Sequence, residues 1–169
     1  MKFGGLDLAA REKNPSGVAI IDSRKILVTT LYSDMEIIDF FERENPSIVG
    51  IDAPLTLRED RYADKYLRKY GAMSLKLPGI KELASRALKL KEKIEEKRIK
   101  VIEVFPTATA KILGFYRKPK KLMLSYFKNY HISEVRNEHE MDAIIAAYTA
   151  YLYHKGLTLS IDGVIIPKE

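Results

Sequence analysis

Three short apolar runs each deliver a carboxylate: Phe3-Gly4-Gly5-Leu6-Asp7-Leu8, Ile48-Val49-Gly50-Ile51-Asp52-Ala53 and Val101-Ile102-Glu103-Val104-Phe105. A fourth acid, Asp142, lies in the late segment His139-Glu140-Met141-Asp142-Ala143-Ile144. An acid inside or at the end of a buried strand is costly unless a cation pairs with it. Four of them, spread over the chain, suggest a fold that gathers them around a shared positive partner, most simply divalent metal. The chain has no cysteine and three histidines, which disfavours thiolate and multi-imidazole sites. The expected ion is therefore oxygen-ligated, Mg2+ or Mn2+. Two such ions about 3.5–4 Å apart activate a water and stabilise the leaving oxygen in phosphodiester hydrolysis. Asp7, Asp52, Glu103 and Asp142 are the candidate metal ligands and catalytic acids, with His139 as the candidate proton handler.

Each residue also has a plainer reading. Asp7 suits a satisfied polar position near a turn, and Asp52, before Ala53-Pro54, suits a turn cap. Glu103 suits a salt-bridge partner on an edge strand. Asp142 and His139 suit exposed positions on a helix.

The elements that must position these side chains follow from the pattern. Residues 2–10, 17–22 and 25–31 read as three strands with short links, an antiparallel meander. Ser33-Asp34-Met35-Glu36 fits a capping box, and the helix it opens ends at Asn45-Pro46. Residues 48–53 form a continuous apolar run, as for a strand covered on both faces. Residues 54–80 read as a surface insertion, with a helix at 60–70. Apolar spacing predicts a helix over 81–97, and a fifth strand covers 100–105. Pro106 suits a helix N-terminus, so a short helix is expected at 107–113. Further helices cover 120–128 and 138–154, the last ending at Gly156, and residues 161–167 read as a terminal strand. The expectation is a single α/β domain over residues 1–169. Its mixed five-stranded sheet (β-β-β-α-β-α-β-α) carries helices on both faces. On the last helix Glu138, His139, Asp142, Ala146 and Thr149 share a face.

The net charge is +6, and part of the excess is concentrated. From Lys111 to Lys128, both included, there are six cations and no acid, with Phe115, Tyr116, Tyr126 and Phe127 among them. Cations interleaved with aromatics suit a phosphate backbone and its bases, making Lys111, Arg117, Lys118, Lys120 and Lys121 candidate nucleic-acid contacts. The plainer reading is a solvated face above core aromatics. Arg58, Arg61, Lys65, Arg68 and Lys69 form a second candidate phosphate contact. No run approaches the ~20 apolar residues of a membrane helix, and no secretory signal pattern follows Lys2. The expected setting is the cytoplasm, and abundant Lys, Glu, Arg and Ile fit a heat-adapted source. A homodimer is compatible with the sequence.

Taken in order, these residues resemble the RNase H-like nuclease superfamily, and within it a family of predicted nucleases with that fold. The phrases that carry the resemblance are Gly5-Leu6-Asp7-Leu8-Ala9-Ala10, Gly17-Val18-Ala19, Gly50-Ile51-Asp52-Ala53-Pro54-Leu55, Glu103-Val104-Phe105-Pro106-Thr107-Ala108 and His139-Glu140-Met141-Asp142-Ala143. The late His-x-x-Asp on a helix also resembles the end of bacterial Holliday-junction resolvases. The resemblance implies a central role for Asp7 between two metals. It makes Asp52 the acid after the fourth strand, and Asp142 the ligand from the last helix with His139 beside it. Glu103 has no counterpart in the simplest superfamily pattern. Two other readings stand beside the nuclease: a non-catalytic nucleic-acid-binding module on this fold, and a nucleotide-handling relative of sugar kinases and actin-like ATPases. The latter use two such domains.

Overall fold

The computed structural model describes residues 1–169. Strands β1 (Lys2–Asp7), β2 (Ser16–Asp22) and β3 (Lys25–Leu31) form the expected meander. Helix α1 (Asp34–Glu44) follows, with both halves of the Ser33/Glu36 capping box present. Strand β4 (Ile48–Asp52) returns parallel to β1, and β5 (Lys100–Val104) lies parallel to β4. Between β4 and β5 lie the insertion, with α2 (Tyr62–Tyr66) and a 3-10 turn (Leu67–Tyr70), and helix α3 (Pro78–Glu95). Helix α3 begins three residues earlier than the apolar spacing predicts, because Pro78 is accepted in a first turn whose N–H groups have no partner anyway. Helix α4 (Pro106–Ile112), a 3-10 segment (Lys120–Phe127) and α5 (Glu138–His154) complete the helices. None is long and apolar enough to cross a membrane.

The sheet has eight strands, in the order β6-β3-β2-β1-β4-β5-β8-β7, rather than the five expected. The extra strands extend both edges. Strand β6 (His131–Ile132) adds to β3, and a C-terminal hairpin, β7 (Thr158–Ile161) and β8 (Val164–Pro167), joins β5. The hairpin replaces the single terminal strand expected over 161–167. Its turn is Asp162-Gly163, both at positive φ (50° and 94°), the pairing that a two-residue hairpin loop demands.

Period-two alternation divides the sheet's side chains between two faces. Leu6, Val18, Ile20, Val49, Ile51 and Val101 meet α1 and α3 in one core. Ala19, Ile21 and Val28 face α5 and the 115–127 segment, while Phe3, Ile48, Ile102 and Val104 face the far part of α5. Helix α5 lies against the sheet with almost no gap. A Cβ on Gly5 would come within 2.0 Å of the Ala143 carbonyl oxygen, and one on Gly17 within 2.1 Å of that of His139. These glycines, with Ala143 and Ala147 opposite, bring helix backbone onto sheet backbone. The insertion is packed as well: Ala63 and Leu67 are buried against Ala108, Val164 and Ile166.

Candidate metal and phosphate site

The first three strands of the parallel core end together, and Asp7 and Asp52 are direct register partners at the carboxyl ends of β1 and β4. Adjacent strands run about 4.8 Å apart, so the two carboxylates are neighbours. Asp7 shares its face with Gly5, and Asp52 with Gly50, and that is the face α5 covers. Asp142 descends on this face from α5, and His139, one turn earlier, places Nδ1 2.9 Å from an oxygen of Asp7. The N-terminus of α5 is fixed by Asn137, whose side chain accepts from the Glu140 N–H. Glu140 is itself fully buried and accepts from Thr30 Oγ1 and the Arg136 N–H. The Asn-x-x-Glu spacing is the sequence signal for this clamp.

The three acids repel one another. The Asp52 carboxyl is pushed well above the usual range, by loss of water first and then by the charges of Asp7 and Asp142. Burial likewise raises Asp142, to about 6, against the opposing pull of Lys120. Lys120 donates its ammonium to Asp142. Burial alone would weaken that ammonium's hold on its proton, but the hydrogen bond and charge of Asp142, then Asp7, hold its pKa above the ordinary lysine value. His139 is raised mainly by its hydrogen bond to Asp7. Asp52 has neither an ion pair nor a hydrogen bond of the kind its neighbours form.

Hard carboxylate oxygens in an under-neutralised group are the donor chemistry that suits Mg2+ or Mn2+. No three carboxylates and imidazoles converge tightly enough in this arrangement to enclose an ion. Lys120 and His139 stand as the local cations instead.

Glu103 lines the same cleft as Asp7 and Asp52, and its charge adds to the repulsion on Asp52, but it is engaged differently. It lies opposite Ile51 in the β4–β5 register, so it projects toward the α1/α3 face, away from α5. There Arg61 grips it with two N–H···O bonds of 2.8 and 2.9 Å, and the Leu55 N–H donates to it at 2.9 Å. Arg61 also holds Asp64. Glu103 thus ties the insertion to the sheet, close to the salt-bridge alternative read from the sequence.

The basic segment divides. Lys120 belongs to the acidic cluster, whereas Lys118 and Lys121 are exposed. Lys111 donates to the Tyr70 carbonyl and lies over the Tyr116 ring, and Arg117 caps the Tyr116 carbonyl. Phe115 and Phe127 are core residues, and Tyr126 stacks on Phe115 with centroids 3.9 Å apart. The interleaved aromatics are therefore mostly committed to one another. Of the second candidate patch, Arg61 is buried in its ion pairs, and Arg58 pairs with Asp162.

No family model matches the sequence, and no curated protein matches it significantly. Solved structures do resemble it. The Thermus thermophilus RuvC structure aligns over 99% of this chain and all of its own, with TM-score 0.58 and 15% identity. T. thermophilus RuvC in complex with a Holliday junction substrate aligns over 92% of this chain and 96% of its own, with TM-score 0.58 and 13% identity. The protein therefore has an α/β fold of the RNase H-like class. Within that class its architecture is similar to RuvC, with the eight-stranded sheet described above.

Proposed function

We propose that the protein is a metal-dependent nuclease that hydrolyses phosphodiester bonds of DNA or RNA. The observation that carries this reading is the cluster of Asp7, Asp52 and Asp142, drawn from three elements, whose mutual repulsion the chain leaves under-neutralised. We assign these acids as ligands of Mg2+ or Mn2+. When bound, the metal supplies an activated water and a counter-charge for the leaving oxygen. His139, exposed beside Asp7, moves a proton to or from solvent. Lys120 holds Asp142 in place until a cation or phosphate draws it away. Glu103, expected from the sequence as a fourth ligand, is assigned instead to positioning the insertion through Arg61. The exposed Lys118 and Lys121 lie near the site in sequence and suit the backbone of a nucleic acid. The RuvC neighbour bound to a Holliday junction makes branched DNA the first substrate to try.

The test is cleavage of labelled four-way, duplex and single-stranded DNA and RNA in Mg2+ or Mn2+, with Asp7→Asn beside the native protein. Metal-dependent cutting lost in the variant is expected; equal cutting by both proteins overturns the assignment. A second reading, a binding module without catalysis, draws on the Lys120–Asp142 and His139–Asp7 pairs, which already balance part of the charge. Tight binding in EDTA with no cutting after metal is restored would select it.

A further inference from the structure

Beside the acidic cluster lies a cleft of about 340 Å³, formed between the carboxyl ends of β1, β4 and β5 and the insertion. Asp7 and Asp52 form one wall of it. Much of the rest is apolar, with Leu67, Leu83, Met73 and Phe105 among its residues, while Arg61, with its partners Asp64 and Glu103, and Thr107 supply the other polar lining. We infer that this cleft receives one unstacked nucleobase adjoining the phosphate held at the carboxylates.

Four observations carry this inference. The volume is at the lower end of small-ligand pockets, about 300–1,000 Å³, which admits one planar group and excludes a duplex. The walls offer apolar surface and the Phe105 ring, the surroundings that compensate a base for lost stacking. The polar edge can discriminate: of the five N–H groups of a guanidinium, Arg61 donates four to Glu103 and Asp64. One Nη1 N–H is left to donate, and Asp64 keeps acceptor capacity, so the edge matches a base that carries an acceptor beside a donor. Finally, the cleft is preformed, because the bidentate Arg61–Glu103 pair fixes the insertion to β5. Enzymes that act next to a single base extrude it into such a pocket, and the cost is smallest where the strand is already unpaired.

The inference rests on the nuclease reading for its biological role, and binding separates the two. Linear and four-way DNA and RNA carrying 2-aminopurine at successive positions are bound in Ca2+, so that no turnover is required. A rise in fluorescence of several fold at one position, with at least tenfold weaker binding when that nucleotide is abasic, is expected. Both effects should fall below twofold in Ala72→Trp, which fills the cleft, and in Met73→Trp, whose native side chain is 64% exposed and tolerates replacement. Base signals of this kind without any cleavage in Mg2+ or Mn2+ support the pocket while removing the nuclease. Cleavage in which no position shows a 2-aminopurine rise or an abasic penalty overturns the pocket and leaves the nuclease standing. Signals that persist unchanged in both tryptophan variants, or an absence of binding to every probe, also overturn it.

Discussion

Two acidic groups occupy the same end of the sheet, on opposite faces. Glu103 and Asp142 are almost equally buried, with 9% and 11% of their side chains exposed. Their partners differ. Glu103 and Asp64 share a planar guanidinium that meets them with four N–H bonds, a geometry that fixes both distance and orientation. On the α5 face, Asp7, Asp52 and Asp142 share one lysine ammonium and one imidazole, and Asp52 feels only the Lys120 charge at a distance, outweighed by burial and the repulsion of its neighbours. An ammonium on a four-carbon stem is a point charge that can be exchanged for another cation. Saturated carboxylates hold structure together; carboxylates kept short of counter-charge are poised to take a ligand.

The largest expected effect breaks the contrast on its functional side. Asp52→Asn should lower metal-dependent cleavage by at least about a thousandfold, since metal chemistry contributes several kcal/mol and each 1.36 kcal/mol is tenfold in rate. The same change should raise the thermal midpoint of the metal-free protein by relieving repulsion, as single-turnover cleavage and calorimetry would reveal. A variant both inactive and less stable would place Asp52 among the structural acids. On the other face, Arg61→Met should cost about 3–5 kcal/mol by leaving buried carboxylates unpaired. Adding Glu103→Met should restore much of that loss in urea unfolding. Lys120→Met should cost less than Arg61→Met, because Asp142 can take up a proton in place of its partner.

A titration sharpens the comparison further. Asp142 rises from 3.8 to about 6 on folding, so the folded chain binds its proton more tightly than the unfolded chain. Stability from this group is full below about pH 4 and is lost as pH rises toward about 6. His139, also raised, contributes in the same direction, and its share is lost as pH rises through its folded value. Measured as native minus Asp142→Asn, the loss attributable to Asp142 should be on the order of 2–3 kcal/mol, from roughly two units at 1.36 kcal/mol each. Adding Mn2+ should flatten it, and a slope of opposite sign would contradict the repulsion. The smallest effect belongs to the exposed cations: Lys118→Ala with Lys121→Ala should reduce the salt slope of duplex binding by about 0.9 for each phosphate no longer neutralised. An unchanged slope would point the segment away from nucleic acid.

Much of this arrangement was legible in the sequence because it is local. The Ser33/Glu36 capping box, the turn signals around the meander and the span of α5 each depend on residues a few positions apart. The acid positions on β1, β4 and α5 follow from apolar runs and helical spacing. The side to which Glu103 points is not local: it depends on the parallel register of β4 with β5, which no short segment encodes. The Lys120–Asp142 pair joins residues 22 positions apart, and Arg61 reaches Glu103 across 42. The missed hairpin is different, since Asp162-Gly163 between apolar residues is a local turn signal that was open to reading.

The contact of α5 on Gly5, Gly17 and Gly50 bears on how this protein can change over generations. The distance from helix to sheet is set by main chain meeting main chain, with no side chain in the gap to grow, shrink or repack. Exchanges among the apolar residues elsewhere in the core therefore leave the height of Asp142 above Asp7 unaltered. A lineage is free to rewrite most of its interior while inheriting the same spacing of acids, and its freedom ends at three glycines.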